Sequence, residues 1–152
     1  MAALLWPDVD ADNARNNLRQ RVFRLRRLGG RDVVEHRQIL ALAPGILHDL
    51  GDLEDALRAD AAGAAGELLG QFDYADSAGL ADWIDAARQR WRAARRDLLA
   101  ELAAREEQHN RIAAALPYAE RLARDEPLLE HAQRQLMRLH YRRGDRGAAL
   151  EV

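Results

Sequence analysis

The chain has 152 residues, of which 48% are hydrophobic and 32% charged, and its formal net charge is −2. A chain of this length can bury one substantial core or two small ones. It has no cysteine and its 23 basic residues are all arginine, which excludes disulfides, thiol catalysis, lysine Schiff bases and a G-x-x-x-x-G-K phosphate-binding loop. No apolar run approaches the roughly 18–20 residues that span a bilayer, so we predict a cytoplasmic protein with no membrane partner.

The charge is distributed unevenly along the chain. Residues 1–37 contain eight arginines and five acidic residues, a balance of +3, whereas the remainder carries −5. The segment NARNNLRQRVFRLRRLGG, residues 13–30, contains six arginines and no acid. Two interpretations are open for this segment: a solvated face in an arginine-rich protein, or a surface that binds a polyanion.

The first long element is predicted to be an α-helix over residues 12–28. One stripe of it is apolar, and its members recur at helical spacing: Ala14, Leu18, Val22, Leu25 and Leu28. The pair Gly29-Gly30 can end the helix, because glycine adopts the left-handed conformation at low cost. On a helical wheel the side opposite the stripe carries Asn13, Asn16, Gln20, Phe23, Arg24 and Arg27. One flank carries Asn17 and Arg21, and the other carries Arg15, Arg19 and Arg26.

A short β-hairpin is predicted directly after this helix. Two aliphatic runs, residues 33–35 and 39–42, flank the polar tip His36-Arg37-Gln38, and Pro44-Gly45 follows as a breaker. A helix followed by a hairpin fits the winged helix-turn-helix plan, in which the wing would bring Arg37 to the DNA backbone.

The outward side of the predicted helix has the chemistry of a major-groove reader. Asparagine and glutamine can bond adenine, arginine can bond guanine, and flanking arginines can meet phosphates. The predicted DNA-binding residues are therefore Asn13, Asn16, Asn17, Gln20, Arg21, Arg24, Arg27 and Arg37.

Beyond residue 48 the pattern predicts only helices. They are a short helix over residues 53–62, one helical turn at 67–69, and a long helix over 80–108. The apolar stripe of the long helix is predicted to be Trp83, Ala87, Trp91, Ala94, Leu98 and Leu102. We expect both tryptophans in the core, because large aromatic side chains on such a stripe are usually buried.

The last third of the chain contains two similar units, which begin 34 residues apart at Arg96 and Glu130. Three pairs fall in register: Leu102 with Leu136, Ala103 with Met137, and Ala115 with Ala149. Small residues where helices cross, and a proline after the second helix, are typical of a tetratricopeptide-like helical pair. The first of these two repeats departs from the pattern at three positions. It has Glu106 where an aromatic residue is usual and Asn110 where the second repeat has the turn glycine, Gly144. It also has Pro117 inside its second helix.

Catalytic and metal-binding patterns are not indicated. The five histidines show no metal spacing such as H-E-x-x-H, and we expect His140 to pack within its helical pair rather than to bind a metal. We therefore predict no enzyme activity, no catalytic residue, no metal and no cofactor.

Two segments, LLWPDVDADNARNNLRQRVFRLRRLGG and DEPLLEHAQRQLMRLHYRRGD, resemble the SARP (antibiotic regulatory protein) family of bacterial transcriptional activators. The first is similar to the end of that family's winged helix-turn-helix domain, and the second to its bacterial transcriptional activator domain, a helical domain related to tetratricopeptide repeats. The resemblance implies a mostly α fold. Residues 1–47 would be a partial winged helix-turn-helix (recognition helix plus β-hairpin wing), and residues 48–152 an all-α tetratricopeptide-like domain.

The resemblance also implies a function, namely sequence-specific binding to direct repeats in promoter DNA and recruitment of RNA polymerase. The helical domain would regulate or self-associate as a homodimer. By position, Asn16, Gln20 and Arg24 would face bases, while Arg21 and Arg27 would face phosphates. Family members have two helices and a small sheet before the Leu-Trp, so we expect a fragment of a longer protein, an internal start, or a helix that packs on the helical domain instead.

A second hypothesis remains open. The chain could be a tetratricopeptide-like interaction or dimerisation module in which the arginine-rich helix contacts protein and DNA plays no part.

Overall fold

The computed structural model describes residues 1–29, 33–36, 40–44, 46, 69–70 and 77–152. The described part is mostly helical with one small antiparallel sheet, which confirms the predicted fold class. The chain forms two compact units, one made of Met1–Asp52 with Ala62–Arg88 and the other of Leu53–Ala61 with Gln89–Val152. The predicted helix over 53–62, residues 67–68 of the predicted turn and the predicted domain boundary at 47/48 lie outside the described residues.

The first unit begins with two helices, α1 (Ala2–Leu5) and α2 (Ala11–Gly29). Asp10 fixes the start of α2, since its Oδ1 accepts hydrogen bonds from the backbone N–H groups of Asp12 at 3.2 Å and Asn13 at 3.0 Å. These two groups would otherwise lack partners at a helix N-terminus. The predicted helix over 12–28 is therefore confirmed to within one residue at each end.

The hairpin follows α2 as predicted. Strands β1 (Val34–His36) and β2 (Leu40–Leu42) pair antiparallel, with Val34 opposite Leu42 and His36 opposite Leu40. The side chain of Arg26 joins α2 to this hairpin, because its Nη2 and Nε donate to the Val34 carbonyl at 2.9 and 3.3 Å. The tip residue Arg37 lies outside the described residues.

The apolar stripe of α2 is covered only at its N-terminal end. Ala14 is 2% exposed, whereas Leu25 and Leu28 are 50% and 85% exposed. Leu18 and Val22 are half-buried. The last two positions of the stripe are thus exposed to solvent. Helix α1 has only four residues and is about 6 Å long, which is too short to cover a helix of 19 residues.

The long helix α3 (Ala78–Gln108) is also confirmed, two residues longer at its start than predicted. Ser77, just before it, donates from Oγ to the Leu4 carbonyl of α1 at 2.8 Å. Ile84 lies two turns beyond Ser77 on the same face and is 1% exposed, whereas Trp83 is 50% exposed. The prediction that Trp83 is in the core is therefore wrong, because the buried position on this part of the helix is its neighbour Ile84. Trp91, in the second unit, is buried as predicted.

The second unit continues with α4 (Ile112–Asp125), α5 (Glu130–Arg143) and α6 (Arg146–Glu151). The two predicted repeats correspond to the end of α3 with α4, and to α5 with α6. Their core is formed largely by small and aliphatic side chains: Ala103, Ala115, Leu116, Ala119, Ala123, Leu136 and Leu139. Of the three pairs in register, Leu102 with Leu136 and Ala115 with Ala149 are buried at both members, while Met137 is 41% exposed.

The turns of the two repeats each contain a residue with positive φ, although the residues differ. Asn110 has φ of 59° and Gly144 has φ of 88°, both in the left-handed region. Asparagine is among the few residues with a side chain that visits this region readily, so the first repeat keeps its turn without glycine. Pro117 lies in the interior of α4 and cannot donate to the Ala113 carbonyl, and both residues are exposed to solvent.

Candidate nucleic-acid interface

The outward side of α2 presents the predicted amide and guanidinium groups to solvent. Exposed members of the predicted set are Asn13, Asn16, Gln20, Arg21, Arg24 and Arg27, while Asn17 is half-buried. On the helix, Asn16, Gln20, Arg24 and Arg27 fall within an arc of about 80°. Arg21 and Asn17 lie on the flank of that arc. One helix therefore carries all of the predicted site except Arg37, which the structure does not describe.

A shallow groove of about 430 Å³ lies on this side of α2. It is lined by Arg19, Gln20, Phe23, Arg24 and Arg27. Three of these residues belong to the predicted binding set, whereas Arg19 and Phe23 do not. The helical wheel contained the signal for both, since it put Phe23 outward and Arg19 on a flank. Three guanidiniums, one amide and one aromatic ring thus share a single surface.

The six arginines of α2 are not equivalent. Arg15 pairs with Asp12, Nη1 to Oδ1 at 2.9 Å, and Arg26 holds the hairpin, so both are engaged within the protein. Among the residues that the structure describes, no ion pair involves the other four: Arg19, Arg21, Arg24 and Arg27. Guanidiniums without a carboxylate partner leave their full charge for an external anion.

The first turn of α2 serves as a cap rather than as free binding surface. The Nδ2 of Asn13 donates to Asp10 Oδ2 at 2.6 Å. Hydrogen bonds from the backbone and side chain of Asn13 lower the pKa of Asp10 below its ordinary value. At neutral pH Asp10 is therefore a carboxylate. Its negative charge is attracted to the positive end of the helix dipole and repels phosphate. The surface suited to a polyanion therefore begins one turn later, at Asn16.

A second, apolar groove of about 470 Å³ lies on another side of the same helix. Its apolar lining is Leu18, Val22, Phe23 and Leu40, and its arginines are Arg15, Arg19 and Arg26. Phe23 and Arg19 border both grooves, so the ring of Phe23 separates the charged surface from the apolar one.

The described residues contain no group of three or more His, Asp or Glu side chains suited to a metal ion. His140 is 8% exposed within α5, in line with the packing role expected for it. None of the described helices is long and apolar enough to cross a membrane.

Comparison with known proteins identifies the helical part of the chain. The family model for the bacterial transcriptional activator domain matches residues 46–152, which include all of α3 to α6. No curated protein and no solved structure matches the chain. The match begins after the hairpin, so α2 lies outside it. Since it covers more than half of the chain and agrees with the tetratricopeptide-like pairs, the chain belongs to the bacterial transcriptional activator domain family.

Proposed function

We propose that this chain is part of a cytoplasmic, SARP-like transcriptional regulator that binds double-stranded DNA through α2. The observation that carries the proposal is the cluster of exposed amide and guanidinium side chains on one arc of α2, in a segment with no acidic residue between Asn13 and Gly29. The helical domain, residues 48–152, would regulate the protein or mediate self-association. RNA polymerase would be the partner that the family resemblance implies. In this proposal the chain has no catalytic role, metal or cofactor.

The dimensions and chemistry of α2 suit the major groove. The groove is about 12 Å wide and admits an α-helix with its side chains. In this proposal Gln20 bonds adenine and Arg24 bonds guanine, each in bidentate fashion. Arg21 and Arg27 would meet phosphates, which position the helix without reading sequence. The hairpin, held to α2 by Arg26, would lie beside the helix as a wing.

The direct test is fluorescence anisotropy of this chain with duplex DNA from its own upstream region and with a scrambled duplex, at about 50 and 200 mM salt. We expect tighter binding to the native duplex, weakening steeply with salt. Gln20→Ala and Arg24→Ala should each lose about 1–3 kcal/mol of binding to the native duplex while nonspecific binding remains. Arg27→Ala should weaken binding to both duplexes alike. It should also reduce the slope of log affinity against log salt concentration by about one.

The matched control is Arg134→Ala in α5. Arg134 is an exposed arginine that pairs with Glu130 one turn away, so its removal changes the net charge equally without touching α2. It should leave both binding curves close to those of the unmodified protein. If Gln20→Ala and Arg24→Ala had no more effect than this control, the assigned face would be wrong.

The second candidate function is a homodimerisation module without DNA binding. It is supported by large apolar or aromatic side chains that α5 and α6 leave exposed, Met137 at 41%, Tyr141 at 63% and Leu150 at 85%. Sedimentation velocity over a concentration series would reveal a dimer, which Leu150→Asp should dissociate and Arg24→Ala should leave intact. A dimer combined with no DNA binding at low salt would favour this candidate over the first.

A further inference from the structure

The most unusual side chain on the arginine-rich surface is an aromatic one. Phe23 is 66% exposed, although burial of a phenylalanine side chain is worth about 1.5–3 kcal/mol. Roughly two thirds of that stabilisation is not realised within the described structure. The ring is therefore available for an apolar partner outside this chain.

The neighbours of Phe23 restrict what that partner can be. Gln20 lies three residues before it and Arg27 four residues after it, the spacings at which side chains adjoin on a helix surface. Both line the same groove as Phe23, together with Arg19 and Arg24. Any partner that covers the ring also covers guanidiniums, and burying them against an apolar protein surface would cost several kcal/mol per ion.

The major groove of DNA offers partners for the guanidiniums and for the aromatic ring on one surface. Phosphates and the O6 and N7 atoms of guanine accept hydrogen bonds from arginine. Thymine adds a C5-methyl group, which is the apolar feature that distinguishes it in this groove. No other base of unmodified DNA offers a methyl group for the ring.

We infer that Phe23 contacts the C5-methyl group of a thymine and is a specificity-determining residue of the DNA site. The inference rests on the proposed DNA-binding function of α2. Three helical residues rise about 4.5 Å, and adjacent base pairs are spaced 3.4 Å apart along a strand. The thymine read by Phe23 should therefore lie about one base pair from the base read by Gln20.

The test replaces the methyl group in the DNA. The full chain is used to select its preferred site from a pool of random duplexes, and the selected duplex is then synthesised with uracil in place of each thymine in turn. Uracil pairs as thymine does but lacks the methyl group. At one position near the base read by Gln20 the substitution should weaken binding about three- to fivefold, the effect of one buried carbon group.

Phe23→Ala assigns that effect to the ring. This variant should bind the thymine duplex as weakly as the unmodified protein binds the uracil duplex, with no further loss on uracil substitution. Phe23→Leu should keep most of the discrimination, because it restores an apolar contact. Trp83→Ala, which removes an exposed aromatic side chain from α3, is the matched control and should discriminate normally. Circular dichroism checks that each variant is folded.

The outcomes separate this inference from the proposed function. If binding remains sequence-specific and sensitive to Gln20→Ala but every uracil duplex binds as well as the thymine duplex, the role of Phe23 is refuted and DNA binding stands. If Phe23→Ala still distinguishes thymine from uracil, the methyl group is read by another residue. If the chain binds no duplex at low salt, both the proposed function and the role of Phe23 are refuted.

Discussion

Glu107, near the end of α3, joins the two tetratricopeptide-like repeats through side chains of α5. Its Oε1 accepts hydrogen bonds from Arg138 Nε at 2.7 Å and Arg142 Nη1 at 3.0 Å. Its Oε2 accepts from Arg138 Nη2 at 2.9 Å and from Gln135 Nε2 at 3.2 Å. The Glu107 side chain is only 12% exposed. Glu107→Gln would replace the charged acceptor by a neutral amide. The NH2 group of that amide is a hydrogen-bond donor and would face the donors of α5.

The electrostatic environment gives the size of the expected effect. The hydrogen bonds from Arg138 outweigh partial burial and lower the pKa of Glu107 from 4.5 to about 2. At about 1.4 kcal/mol per pKa unit, this difference corresponds to roughly 3 kcal/mol. Solvent screens part of it, because Arg138 and Arg142 are 54% and 37% exposed. We therefore expect Glu107→Gln to reduce the free energy of unfolding by about 2 kcal/mol at pH 7, or about 4–8 °C in Tm for a chain of this size.

The assay is urea and thermal unfolding, followed by helical circular dichroism between pH 7 and pH 2. Because the pKa of Glu107 is depressed in the folded state, its stabilising contribution is complete above about pH 4.5 and is lost as the pH falls toward 2. The stability gap between the unmodified protein and the variant should close over that interval. Glu101→Gln, at an exposed position of the same helix, is the control and should change stability by less than about 0.5 kcal/mol. A Glu107→Gln variant as stable as this control, or a gap that is constant from pH 4.5 to pH 2, would refute the reasoning.

Three further substitutions test other parts of the structure. Leu139→Ala, at a core position with 0% exposure, should cost about 2–5 kcal/mol in urea unfolding, whereas Leu128→Ala, at 97% exposure, should be nearly neutral. Asn110→Ala should reduce the free energy of unfolding by about 1–2 kcal/mol, because alanine is disfavoured at φ of 59°. Asn110→Gly should reduce it by less. Equal reductions would mean that Asn110 stabilises the turn through its side chain rather than through its backbone conformation. If α2 binds DNA as proposed, Arg26→Ala should weaken that binding several-fold while helix content stays constant, because the hairpin loses its link to α2. Arg15→Ala, which breaks only an exposed ion pair, is the control. Equal effects of the two substitutions would contradict a special role of Arg26.

The bounds of the helices were predictable because their signals are local. Asp10 before α2 and Gly144 after α5 act on backbone groups within a few residues, the first as a cap and the second as a left-handed turn. The repeat of the last third was predictable for a related reason, since the same helical pair recurs with the same spacing. The outward position of Gln20, Arg24 and Arg27 followed from helical geometry alone, once the helix itself was predicted.

The error at Trp83 has a physical origin. A periodic pattern places the apolar face of a helix only to within about one residue, or 100° of rotation, so it could not decide whether Trp83 or Ile84 is buried. The exposure of Leu25 and Leu28 depended on the length of a neighbouring element. Nothing in the spacing along α2 distinguishes these leucines from the buried Ala14.

The sequence alone determined the helical repeats, the family resemblance and the side chains that α2 could offer to DNA. Each of these features depends on residues that are close together along the chain. The tertiary structure decided which of those side chains remain available. It engaged Arg26 with the Val34 carbonyl eight residues away and Glu107 with Arg138 31 residues away, and it left Phe23 exposed. Such partners are chosen by the packing of whole elements against one another, a property that no local pattern contains.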